Sequence, residues 1–298
     1  MRRVQGGLVS WHWHVRTRSE RLVLRRYNPW RADVAYEHGV LAHLSEKGWP
    51  VAAAMPAIDG ETLVKVEGQT YALFPHLPGR PKSSTAPSFA RARGRMLADL
   101  HTDLDSLVVL GQREGMAMMN EYAVQPLSPN GRTFEEILPA FVKARPDLGQ
   151  PLERHHERLA PVLAELSGLP STVVHGDFSK WNLLFVQGDL SGVLDLDFTR
   201  LDLRMADVAI STRFENDPLV WSAFVGGYVS RAALSAAERD AFVPLRMARG
   251  FAHAANALGW WETGREDMLA EVERGVHELD RDQADERLLV QTLEAVVA

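Results

Sequence analysis

The feature that most constrains this chain is a break in periodicity at residues 75–88, where Pro75, Pro78, Pro81 and Pro87 cluster with Gly79. Proline has no amide donor and a fixed φ, so neither a central strand nor a helix runs through such a stretch. The patterns on its two sides differ. Upstream, residues 11–16 and 21–27 carry β-branched and aromatic side chains around a polar turn at 17–20, which predicts a hairpin. Asp33 is placed to cap a helix carrying Val34, Val40, Leu41 and Leu44, closed by Gly48 with Pro50 just beyond. A second hairpin is expected from 61–66 and 70–74, turning at Glu67-Gly68.

Downstream the period becomes helical. Residues 89–104 form one candidate helix, and Leu152, Leu159, Val162, Leu163 and Leu166 recur at helical spacing in another. From residue 219 to the end the pattern is helical again. The stretch 116–132 is irregular, and short strands are expected at 172–174, 183–186 and 192–196. No internal repeat is visible. The expected organisation is α+β: a small β-rich N-terminal lobe over 1–74, a linker at 75–88, and a larger, mainly helical lobe over 89–298.

Bulk properties narrow the function. Hydrophobic residues make up 46% of the 298 residues and charged residues 24%, which is globular usage and excludes disordered and fibrous classes. A net charge of -6 gives no general affinity for nucleic acid or anionic membranes. Nothing approaches the roughly 20 apolar residues of a membrane span. Arg2 and Arg3 are followed by Gln5, His12 and His14 rather than an apolar core, so no signal peptide is expected. The absence of cysteine removes disulfides, thiolate nucleophiles and cysteine-ligated zinc, and fits a cytoplasmic protein. A monomer or a homodimer is expected.

The chemistry is concentrated in VVHGDFSKWNLLFVQGDLSGVLDLDF, residues 173–198. Apolar runs leave His175, Asp177 and Asn182 in one loop, with Asp195 and Asp197 in a following strand. Phosphoryl transfer requires a carboxylate to orient the attacking hydroxyl and oxygen ligands that hold magnesium against the phosphates. Carboxylate and carboxamide are the hard donors that magnesium prefers.

His175-Gly176-Asp177, four residues and Asn182, followed by GVLDLD at 192–197, resembles the catalytic signature of the aminoglycoside phosphotransferase and choline-kinase-like family. That family has a protein-kinase-like two-lobed fold and includes homoserine kinases. The resemblance implies Asp177 as catalytic base, Asn182 and Asp195 as Mg2+ ligands, and ATP or GTP as co-substrate. It also implies His175 as a structural member of the loop and Asp207, in RMADVA, as the aspartate beneath it. LVLRRY at 22–27 resembles the strand carrying the phosphate-binding lysine, here Arg25, with Glu37 as its partner. YALFPHLPG, which includes Phe74 and His76, resembles the hinge that meets the nucleotide base, and MLADLH resembles the helix opening the large lobe. The match runs from about Gly6 to Ile210. It departs at Arg25 and at the glycine loop, where only Gly6-Gly7 precede a first strand that looks truncated.

The function implied is transfer of a γ-phosphoryl group to a hydroxyl of a small molecule: an amino alcohol, amino acid, sugar or aminoglycoside. The alternative is a pseudokinase-like protein that binds nucleotide or metabolite, favoured by Arg25 and the short glycine element. A metal-dependent hydrolase built on His175 and the aspartates is a third reading, and it leaves the hinge and β-lobe matches unexplained.

Other polar residues carry two readings each. Lys180 either contacts the transferred phosphoryl group or is a surface lysine, and Trp181 is expected to pack. Asp197 either touches a second metal or caps the turn at Thr199. His12 and His14 face one side of a strand but make a poor metal site without carboxylates beside them. His155 and His156 read as surface residues. Trp260, Trp261 and Glu262, with Glu215 and Asp217, read as core tryptophans and solvated turns before they read as a pocket for an amine.

Overall fold

The computed structural model describes residues 2–3, 10–28, 33–127, 130–213, 215 and 217–297. Gly6 and Gly7 lie outside the described residues. In chain order the first elements are β1 (Arg2–Arg3), β2 (Ser10–Arg16), β3 (Arg21–Tyr27), α1 (Val34–Glu46), β4 (Val64–Val66), β5 (Gln69–Pro75), β6 (Arg80–Pro81), α2 (Pro87–Leu104), α3 (Phe134–Ala144) and α4 (Pro146–Ala164). There follow β7 (Ser171–Val174), β8 (Leu183–Val186), β9 (Asp189–Val193), β10 (Arg200–Leu203), α5 (Arg204–Thr212), α6 (Pro218–Val229), α7 (Ala236–Asp240), α8 (Phe242–Trp261), α9 (Leu269–Ala284) and α10 (Glu286–Val297). No helix among the described residues is long and apolar enough to cross a membrane. The chain divides into two compact units, Met1–Ser83 with Asp177–Thr199 and Ser84–Gly176 with Arg200–Ala298.

The first unit is built on a five-stranded sheet in the order β1-β2-β3-β5-β4. β4 and β5 close at Glu67 and Gly68, both with positive φ. That combination matches the twist of a two-residue hairpin. Asp33 caps α1 by accepting from the amides of Ala35 and Tyr36. Gly48, at φ 85°, ends it in the left-handed conformation that glycine adopts at little cost. Val40 and Leu44, one turn apart, are fully buried.

β8 and β9 form a second hairpin through Gln187 and Gly188, again both at positive φ. β8 pairs with β6, and Val193 bridges Val51 in parallel, which ties the segment after Asp177 to this unit. Gly79 sits at φ 110°, where an added Cβ would meet Ser191 Oγ and the Phe185 carbonyl. The strand expected at 192–196 is corrected: it ends at Val193, because Asp195 turns to φ 62°, ψ 57° and leaves the ladder.

The second unit is helical around the short antiparallel pair β7–β10. Neither α3 nor β10 is evident in the sequence pattern. α2 and α6 cross with their backbones in contact at Gly94 and Gly227, where a Cβ would fall on the carbonyls of Phe224 and Arg91. Thr133 and Glu136 form a capping box at α3. The core gathers Leu97, Leu104, Phe134, Phe141, Phe224, Tyr228, Phe242 and Phe251. His155 and His156 are not the surface pair expected. His155 is buried and bonds Asp280 at 2.7 Å, and His156 bonds the Tyr122 hydroxyl at 3.0 Å within an aromatic cluster.

Candidate active site

Arg25, buried in the middle of β3, is gripped from three sides. Nη1 donates to Glu37 Oε1 at 2.8 Å; Nη2 donates to Ser10 Oγ at 3.3 Å and also to Asp197 Oδ1. Nε has no hydrogen-bond partner among the described residues. Burial pulls the guanidinium pKa down, but the Glu37 and Asp197 carboxylates outweigh it and hold it above its ordinary value. The partnership with Glu37 follows the expectation; the second carboxylate, from the turn after β9, does not.

These residues line one cavity of 540 Å³ within the first unit. Its apolar part comes from Val23, Leu41, Phe74, Leu184 and Leu196, and its polar part from Arg25, Glu37, Asn182, Asp195 and Asp197. Phe74 and His76 both reach it. The His76 amide donates to the Arg21 carbonyl at 3.0 Å, which continues the β3–β5 ladder one residue past β5.

The loop after β7 is held by its own asparagine. Asn182 Nδ2 donates to the backbone carbonyl of Asp177 at 2.9 Å and to its carboxylate Oδ2 at 3.0 Å. The Ser179 amide closes a tight turn onto the Asp177 carbonyl at 2.7 Å, and Asn182 passes the constraint on by accepting from the Leu194 amide at 2.8 Å. Because the Asn182 nitrogen is spent on Asp177, its carboxamide oxygen is the group it can offer a cation. Asp195 lines the same cavity. Its left-handed backbone is an uncommon state for a residue other than glycine, and such states concentrate at functional sites. A carboxamide oxygen and a carboxylate suit Mg2+, which completes its shell with water and phosphate oxygens. No group of three or more His, Cys, Asp or Glu among the described residues forms a protein-only metal cage.

In the second unit, Asp207 is fully buried under the first half of the signature. It accepts from the His175 amide at 2.8 Å, the Gly176 amide at 3.0 Å and His101 Nε2 at 3.1 Å. Burial raises its pKa, but the hydrogen bond from His101, with the charges and amides around it, holds the carboxyl below its ordinary value. His101 in turn meets the Tyr228 hydroxyl at 2.9 Å. The two residues before Asp177 are therefore fixed by their backbones.

Of the residues singled out in the sequence, Arg25, Glu37, Phe74, His76, Asn182, Asp195 and Asp197 share the cavity, while Asp177 and Lys180 are not among its lining. Lys180 is buried rather than a surface lysine, with Nζ 5.6 Å from the Trp181 ring, and Trp181 is half exposed rather than packed. Asp197 is claimed by Arg25. Glu215 is buried against Arg93 at 2.7 Å, Glu262 pairs with Arg132, and Asp217 caps α6, so these carboxylates have partners of their own. Ser10, His12 and His14 line the cavity without having been singled out for it. The signal was the alternation of β2, which puts residues 10, 12 and 14 on one face.

The model of the phosphotransferase enzyme family matches residues 1–245. A homoserine kinase of Phenylobacterium zucineum is 28% identical over 216 residues, covering 70% of this chain; the chain spans 63% of that relative's length, less than two thirds. A homoserine kinase of Hyphomonas neptunium is 26% identical over 276 residues, covering 86% of this chain and 80% of that protein. Among solved structures, an amicoumacin kinase in complex with AMP-PNP, Ca2+ and Ami superposes with a TM-score of 0.67 at 15% identity, covering 93% of this chain and 86% of that one. The shared fold is the protein-kinase-like one, with a small sheet lobe and a mostly helical C-terminal part.

Proposed function

This chain belongs to the phosphotransferase enzyme family, and from that premise we propose that it is a small-molecule kinase, moving the γ-phosphoryl group of ATP or GTP to a hydroxyl. The observation that carries the reading is the single cavity with Phe74 and His76 on one part of its wall and Arg25, Glu37, Asn182 and Asp195 on another. Such a cavity suits a ligand that is flat and apolar at one end and polyanionic at the other.

In this reading Asp177 orients the acceptor hydroxyl and takes its proton, with its carboxylate aimed by Asn182. Asn182 and Asp195 would supply the oxygens that hold Mg2+, and the cation, when bound, would offset the charge that accumulates on the transferring group. Arg25 contributes positive charge and, through Asp197, fixes the turn that carries Asp195. Lys180, two residues before Asn182, is assigned to the phosphoryl group as a supporting charge. His175 and Asp207 act through the backbone.

For the acceptor we propose a small hydroxyl-bearing amino compound, an amino alcohol or hydroxy amino acid with homoserine first, ahead of sugars and aminoglycosides. Its support is the name of the relatives at 26% and 28% identity. The reaction is placed in the cytoplasm. A nucleotide-binding protein without turnover is the second reading, and the double commitment of Arg25 is what favours it.

The test is magnesium-dependent release of ADP from ATP, run with homoserine, amino alcohols, sugars and aminoglycosides in turn. Release stimulated by one class establishes the kinase and names its acceptor. Nucleotide binding with no stimulation by any class moves the assignment to the binding protein.

A further inference from the structure

The sheet register divides the cavity into two rows. His14 on β2 faces Val23 on β3, which faces Phe74 on β5; one step along, His12 faces Arg25, which faces Ala72. Opposed residues of an antiparallel sheet share a face, and rows two residues apart lie about 7 Å from each other. The His14 row continues into His76, whose ring centroid is 5.4 Å from that of His14. It is aromatic and apolar, as a planar base requires. The His12 row is the polar one: it carries Arg25, which donates to Ser10 of the next row, with Glu37 and Asp197 beside it.

Arg25 supplies the positive charge of the polar row, and both of its terminal nitrogens already donate to protein oxygens. It cannot present the bidentate fork that makes arginine a strong phosphate ligand. His12 is the other nitrogen-bearing side chain of this row in the cavity wall.

We propose that His12 is a phosphate-binding residue of the nucleotide site, donating a ring N–H to the phosphate chain where the fork of Arg25 is occupied. The proposal rests on the kinase reading. Burial first, and then the Arg25 charge, hold the His12 pKa below its ordinary value, with His14 adding to this and Asp197 opposing it. At pH 7 the ring is therefore neutral, with one N–H to donate. An approaching phosphate favours the charged form, so its grip tightens as the pH falls.

The test is calorimetric titration of the full chain with ADP and with adenosine, across pH 6 to 8, for wild type, His12→Ala, His12→Gln and His14→Ala. His12→Ala is expected to weaken ADP by about 10-fold or more while leaving adenosine within about 2-fold, the size of a hydrogen bond to a charged group. His12→Gln, which keeps a donor, recovers part of the ADP affinity but loses its strengthening at low pH. His14→Ala weakens both ligands alike. Equal losses for ADP and adenosine in His12→Ala, or no loss for either, overturn the assignment of His12 and leave the kinase reading standing. A wild type that binds neither ADP and adenosine nor GDP and guanosine removes the kinase reading itself, and the assignment with it.

Discussion

Arg25 on β3 and Asp197 in the turn after β9 form a buried, hydrogen-bonded ion pair across 172 positions of sequence. Glu37 holds the same guanidinium from α1, so one arginine fastens the central strand, the helix and the aspartate-bearing turn together. The turn begins at Asp195, whose left-handed backbone needs neighbours that hold it there.

Removing that arginine takes one buried cation away from two buried carboxylates. Arg25→Met is expected to destabilise the protein by about 3–5 kcal/mol, the usual cost of breaking a buried pair from one side. Arg25→Lys keeps the charge but not the fork, and is expected to lose less. Urea unfolding measures both, and a methionine variant as stable as wild type would remove Arg25 from this structural role.

The pairing of Arg25 with Glu37 was legible in the sequence because strand and helix adjoin and LVLRRY has a family likeness. Asp197 as its second partner was not, since nothing in a linear pattern links positions so far apart. Asp177, Asn182 and Asp195 could be picked out by spacing, yet Asp195 was assigned to a strand. The apolar residues Val193, Leu194 and Leu196 look like a continuing strand, and only the tertiary site turns the backbone out of it. The β4–β5 turn and the cap of α1 were read correctly because Glu67-Gly68 and Asp33 act locally. His12 and His14 were set aside as a poor metal site; their side of the sheet could be read, but not what it faces.

Adjacent glycines in α6 separate packing from propensity. At Gly227 a Cβ would overlap the Arg91 backbone carbonyl, whereas at Gly226 it meets side chains alone, the mobile end of Arg91 at 3.3 Å and Val296 Cγ1 at 3.4 Å. Gly227→Ala is expected to destabilise by more than about 2 kcal/mol, in the range of overpacked cores. Gly226→Ala is expected to be neutral or to stabilise by up to about 1 kcal/mol through helix propensity. Thermal unfolding of the pair checks this, and equal effects would contradict the close crossing of α2 and α6.

Acid stability should carry the signature of Asp207. Its folded pKa lies below the unfolded value of about 3.9, so its contribution is fully present above that value. It is lost as the pH falls through the folded pKa. Asp207→Asn is expected to be less stable at neutral pH and to show a flatter loss of stability below about pH 4. The comparison is of unfolding free energy against pH, and parallel acid limbs in the two proteins would exclude this linkage.

Nucleotide binding and turnover should separate at Asp177, which does not line the cavity that Phe74, Arg25 and Asp195 share. Asp177→Asn is expected to keep ADP affinity within about 3-fold of wild type, while Asp195→Asn loses the magnesium dependence of that affinity. Titration with and without magnesium distinguishes the two. An Asp177→Asn variant that no longer binds nucleotide would place that residue in the binding site instead.

The most direct test of the central claim follows the phosphorus atom itself. Phosphorus NMR of a reaction containing ATP, magnesium and homoserine or an amino alcohol should show a new phosphomonoester growing as ADP appears. In Asp177→Asn that signal should fall by at least about 100-fold, the scale of a lost general base. An equal rate of phosphomonoester formation in the variant, or release of inorganic phosphate alone by the wild type with every acceptor, would contradict the account.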